Sequence, residues 1–213
     1  MTESKRINTG ESELDRLRRD ITACRLCVEH PLRKRLPHEP RPVAILSVTA
    51  RIVVCGQAPG TRVHASGVPF TDPSGDRLRD WMGVSEEEFY DASRLAIVPM
   101  GFCFPGLDAN GGDLPPRREC APQWRERIFA AMPQIELLLA VGQYAQKWHL
   151  GDRSGPSLTE TVANWRDILH SGDQPAKLPL PHPSWRNNAW VKKNPWFASE
   201  LLPELKKRVR ELL

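Results

Sequence analysis

Between residues 51 and 180 short, unbroken apolar runs alternate with segments whose apolar positions recur every three or four residues. The runs at 51–55 (which includes Ile52, Val53, Val54 and Cys55), 94–98, 135–141 and 177–180 are too short for helices. Each has apolar neighbours on both sides, as strands buried on both faces read. Residues 43–46 add a further strand candidate, set off from 51–55 by a short turn. Helical spacing predicts an amino-terminal helix over 11–24, with Leu14, Leu17 and Ile21 on one face. It also predicts helices over 75–82, 120–131, 142–150, 157–169 and 195–213, where Pro203 demands a break or restart. Ser85 with Glu88, and Ser157 with Glu160, have the spacing of capping boxes. Residues 30–42 and 99–120 are rich in Pro or Gly and read as irregular connections. Strands alternating with helices imply a doubly wound α/β fold: a three-layer α/β/α sandwich around a central, mostly parallel four-stranded sheet.

The chain's 213 residues, 40% of them hydrophobic, suit one core, so residues 1–213 are expected to form a single domain without repeats. No run approaches the ~18 apolar residues of a membrane span. The start, MTESKRINTGESE, is polar and mixed in charge, with no signal peptide pattern, so a cytoplasmic monomer is expected. A net charge of +4 permits a nucleic-acid partner without demanding one. The cluster Lys206, Lys207, Arg208, Arg210 reads as a solvated helix face. Arg33–Arg35, Arg117–Arg118 and Lys192–Lys193 fall in expected loops, where phosphate contacts are plausible.

The strand at 51–55 runs into Gly56, Gln57, Ala58, Pro59 and Gly60, a sequence that excludes a regular helix and frees backbone N–H groups to point outward. GVPF and Asp72 follow, placing an aromatic ring (Phe70) and a carboxylate on the same loop, with His64 inside it. Loops at the carboxyl ends of parallel strands are where open α/β sheets bind ligands. LPLPHPSWRNNAW puts His182 just past another strand, so both loops are expected at one sheet edge, with Pro181 and Pro183 stiffening the backbone. Ser184, Trp185, Arg186, Asn187 and Asn188 supply hydroxyl, aromatic, cation and amides suited to entering a base stack and gripping phosphates. Five cysteines without an export signal point to metal or core roles rather than disulfides. Cys24 and Cys27 form a CxxC pair, Cys103 and Cys120 flank the long 99–120 connection, and Cys55 sits inside an apolar strand as a core residue.

GQAPG, GVPF, FTDPSGD and HPSWRNN together resemble the motifs of the uracil-DNA glycosylase superfamily, and the order of the four cysteines resembles its iron–sulfur branch. The resemblance covers roughly residues 22–196 and is nearest a subgroup carrying GQAPG, PMGFCFPG, HPSxRNN and KKNPWF. It implies a DNA-repair glycosylase that excises uracil or a related deaminated base after flipping it, from single strands or an opened duplex. Phe70 would stack on the base. The Gln57 and Ala58 amides with His182 would bind the charge developing on it. Asp72 would orient water or support the cationic sugar, and His64 and Asn187 would line the pocket. Ser184, Trp185, Arg186 and Asn188 would hold the DNA. Cys24, Cys27, Cys103 and Cys120 would bind a structural 4Fe–4S cluster, with Zn2+ as the alternative. Two departures stand out: Pro99 replaces an asparagine that relatives use to read uracil, and Gln57 and Ala58 replace an acidic residue that others use for water. An amide is not a general base. A catalytically weak nucleic-acid-binding protein of the same fold, or a hydrolase acting on nucleosides or nucleotides, are the competing readings.

Overall fold

The computed structural model describes residues 12–213; Glu11 and the amino-terminal segment read above lie outside them. In chain order the elements are α1 (Glu13–Thr22), α2 (Leu26–Glu29), β1 (Ile52–Cys55), α3 (Thr61–Ser66), α4 (Pro73–Met82), α5 (Glu86–Tyr90), β2 (Leu95–Ile97) and α6 (Cys120–Ala130). They continue with β3 (Leu137–Val141), α7 (Gln143–Leu150), α8 (Leu158–Ala163), α9 (Trp165–Leu169), β4 (Ala176–Leu180), α10 (Asn188–Lys193) and α11 (Leu202–Leu212).

The sheet has four strands in the order β2-β1-β3-β4, every pairing parallel. Successive strand residues face opposite sides, which separates two cores. Val53, Cys55, Ala96, Val98, Leu138 and Ala140 pack with α1 and α6 through Leu14, Leu17, Ile21, Trp124 and Ile128. Ile52, Val54, Leu95, Ile97, Leu137 and Leu139 pack on the other side with Leu78, Trp81 and Met82 of α4, Trp165 of α9 and Leu205 and Val209 of α11. The expected three-layer sandwich is thus formed, and its sheet is wholly parallel. No helix among the described residues is long and apolar enough to cross a membrane.

Three local expectations change. Residues 43–46 form no sheet strand: only Ile45 bridges Ile97, antiparallel, with both N–H···O distances 2.8 Å. The Ser47 hydroxyl accepts the Thr49 and Ala50 N–H groups (3.1 and 2.9 Å), turning the chain away before a second pair forms. The helix over 157–169 breaks at Asn164 into α8 and α9. The helix expected from Gly75 starts earlier, at Pro73, because Asp72 caps it. The terminal helix restarts as predicted: a π-helical turn, Phe197–Leu201, precedes α11, and Pro203 sits in the first turn of α11, where its missing N–H costs nothing.

Candidate active site

Gly56–Gly60 follow β1, Pro99 follows β2 and His182 follows β4, and all line one cavity at the carboxyl edge of the sheet. Phe70, Asp72 and Asp113 complete it, with Val43, Val63, Pro69, Ser74 and Ile97. The Gly56 and Gln57 carbonyls are taken by the Met100 and Gly101 N–H groups, at 2.9 and 3.0 Å. The Gln57 and Ala58 N–H groups make no hydrogen bond among the described residues, so they are available to an anionic or carbonyl oxygen. Below this loop the buried Arg125 guanidinium donates to the Val98 and Pro99 carbonyls, both at 2.8 Å, fixing the end of β2.

Phe70 adopts the left-handed backbone conformation, φ 57°, rare for an aromatic residue. Its carbonyl presses against Gly75, where an added Cβ would lie 1.8 Å from it. Its ring meets Phe89 edge-on at 5.9 Å, and its tip comes within 3.2 Å of where a Cβ on Gly56 would lie. Only glycine fits at Gly75, a Cβ at Gly56 would crowd the ring by a few tenths of an ångström, and the ring is thereby held at the cavity wall. Asp72 Oδ1 accepts from Ser74 Oγ (2.5 Å) and Gly75 N–H (3.2 Å), so half of this carboxylate is committed to capping α4.

His182 is held just beyond the sheet, its Cβ packing on Gly142, which has φ 82°. Burial lowers its pKa; the Asp72 charge opposes this and Arg186 adds to it. The ring is therefore neutral near pH 7. Ser184 N–H donates to Nδ1 at 3.3 Å, which makes Nδ1 the acceptor and puts the ring's proton on Nε2. A neutral imidazole with an Nε2–H can donate a hydrogen bond to a leaving group that gains negative charge.

The remaining predicted residues are more dispersed. His64 does not line the cavity; its ring packs against His38 (4.3 Å) and Phe104 (5.6 Å). The Asn187 amide donates to the His182 carbonyl (2.7 Å), and Asn188 Oδ1 accepts from Arg77 (2.6 Å), so both amides hold the histidine loop rather than face the pocket. Arg77 also donates to Ser184 O, a tie between α4 and this loop that no motif announced. Trp185 is 73% exposed, with the Arg186 guanidinium 5.7 Å from its ring. Asp113 is the functional-site candidate that sequence reasoning missed: its only signal was membership of a long connection that had to be pinned or functional.

Cys24, Cys27, Cys103 and Cys120 line a second, apolar cavity with Phe102 and Trp124. Burial pushes the Cys27 thiol up to about 11 and those of Cys103 and Cys120 to about 12. Phe102 N–H donates to Cys120 Sγ at 3.4 Å. Arg117, expected at phosphates, is spent here: it pairs with buried Glu119 at 2.7 Å and donates to Lys34 O. Among the described residues no group of three or more His, Cys, Asp or Glu is arranged to hold a metal ion. Cys55 is fully buried in β1, as expected of a core residue.

Fold and site together define an α/β protein with a cavity, lined by an aromatic ring, two carboxylates, a histidine and a glycine-rich loop, at the carboxyl edge of a parallel sheet. The sequence model of the Uracil DNA glycosylase superfamily matches residues 44–206, most of the chain and nearly all of the cavity lining, and the chain belongs to that superfamily.

Proposed function

We propose that this protein is a DNA-repair glycosylase that hydrolyses the N-glycosidic bond of uracil or a related deaminated base. The observation that carries this is the single cavity shared by Phe70, the Gly56–Gly60 loop, Asp72 and His182. A flipped base enters it and stacks on Phe70. As the C1′–N bond breaks, its electron pair leaves with the base, and the Gln57 and Ala58 N–H groups and His182 Nε2–H take up the charge. Asp72 supports the positive sugar with the oxygen not used in the cap. The edge of the base is read by backbone groups and Gln57, since Asn187 and Asn188 are occupied and Pro99 has no side-chain donor. Trp185 and Arg186 hold the opened strand.

The cysteine cavity brings four thiols to one apolar lining, the donor set of a 4Fe–4S cluster, with Zn2+ as the alternative. Thiols with such raised pKa values stay protonated until a metal displaces the proton. Bound there, the cluster supplies a structural brace that ties α6 and the 104–119 segment to the amino-terminal residues.

The test is strand scission by alkali after incubation with DNA carrying uracil, hypoxanthine or xanthine. Scission is expected with at least one of them, and His182→Ala is expected to slow it by ~10²–10³. Salt-sensitive binding without scission would make the protein a binder instead; undiminished scission in His182→Ala would remove the role given to that residue.

A further inference from the structure

The motif loop contains no acid, yet the cavity contains two, and they differ in what holds them. Asp72 is anchored by Ser74 and Gly75. Asp113 reaches the cavity on the long segment between β2 and α6. One of its carboxylate oxygens, Oδ2, lies 3.1 Å from where a Cβ on Gly60 would stand, so the absence of a side chain at Gly60 admits it to the loop. Its carboxylate makes no hydrogen bond among the described residues.

The turn carrying it is built to hold it still. Asp108 Oδ1 accepts the Asn110 and Gly112 N–H groups (2.8 and 2.9 Å), Asp108 N–H donates to Gly112 O (2.8 Å), and Leu107 bridges Asp113. Leu114 N–H closes the base of the turn on Gly106 O at 2.9 Å. An ordered turn thus presents an unpaired carboxylate to a pocket whose chemistry requires a base.

Resting on the glycosylase reading above, we infer that Asp113 is the catalytic base that positions and deprotonates the attacking water. The water oxygen bonds to C1′ as the C1′–N bond breaks; the bonding pair leaves with the base, and the water proton passes to the Asp113 carboxylate and then to solvent. The charged groups facing Asp113 are Arg186 from the histidine loop, Asp72 from the α4 cap and Asp108 within its own turn, and the neutral, titratable His182 shares the cavity. Burial raises its pKa; Arg186 opposes this, while Asp72 and Asp108 add to it. The result is a stronger base than an ordinary carboxylate.

The test uses the full chain and a uracil-containing oligonucleotide, or whichever deaminated base the wild type excises. Asp113→Asn and Asp113→Ala are compared with wild type in single-turnover scission across pH, with oligonucleotide binding and thermal unfolding measured alongside. Both variants are expected to lose ~10²–10³ in rate, with binding and unfolding unchanged. The acid limb of the wild-type profile should vanish in Asp113→Asn and persist in Asp108→Ala, which loosens the turn but keeps the base. An active wild type with an equally active Asp113→Asn overturns this assignment and leaves the glycosylase reading standing. So does an acid limb that survives in Asp113→Asn. A wild type that binds DNA but excises no base overturns both.

Discussion

Replacing Gly56 with alanine tests the base slot at its back wall. The new methyl would lie 3.2 Å from Phe70 Cζ and 3.8 Å from Cε2, a few tenths of an ångström too close for one contact. The ring has little room to yield. Its backbone is held at φ 57°, its carbonyl is wedged on Gly75, and Phe89 stands behind it at 5.9 Å. Overpacking of this kind costs about 1–3 kcal/mol of stability. The ring's tilt also removes base stacking, worth ~1–3 kcal/mol per base, or roughly 5–150-fold in binding and rate. Denaturant unfolding and single-turnover excision measure the two separately. A Gly56→Ala protein that is destabilised but excises at the wild-type rate would show that the base does not sit against Phe70.

Two further outcomes follow from buried groups. Burial, with Arg125 and Lys177 adding to it, holds His149 down at about 3, while the unfolded chain binds that proton near 6.5. Stability should therefore fall as pH drops from about 6.5 towards 3, with a slope from this residue approaching 1.4 kcal/mol per pH unit; denaturation of His149→Leu at pH 6.5 and pH 5 should show a flatter dependence. Protein carrying the cluster should be brown and contain iron and sulfide, and Cys103→Ser should lose the colour together with excision, since the same segment carries Asp113. A colourless wild type holding zinc would keep the ligands and discard the cluster.

The sheet was legible because its central strands carry no polar residue on either face: Ile52–Cys55 and Leu137–Val141 can only be buried. Their carboxyl-end loops then followed from parallel connectivity, which is why the sequence alone puts the GQAPG loop and His182 together. What failed was local competition. Ser47, by accepting the Thr49 and Ala50 N–H groups, closed a turn straight after the 43–46 run, and Asn164 broke one apparent helix into two. Asn187 and Asn188 looked available because their partners, a carbonyl within the loop and Arg77 from α4, are set by tertiary contacts. Asp113 was invisible for a related reason: nothing in GGD announces a turn that folds back over Gly60.

The segment between Cys103 and Cys120 starts and ends in one cavity, and its middle overhangs another. With both ends anchored, lengthening the tip around residues 109–111 adds little closure entropy, which grows only with the logarithm of loop length, and disturbs no strand. A change in what the cavity accepts is thus most readily acquired there, by altering a turn that leaves Asp113 in place rather than by rebuilding a core.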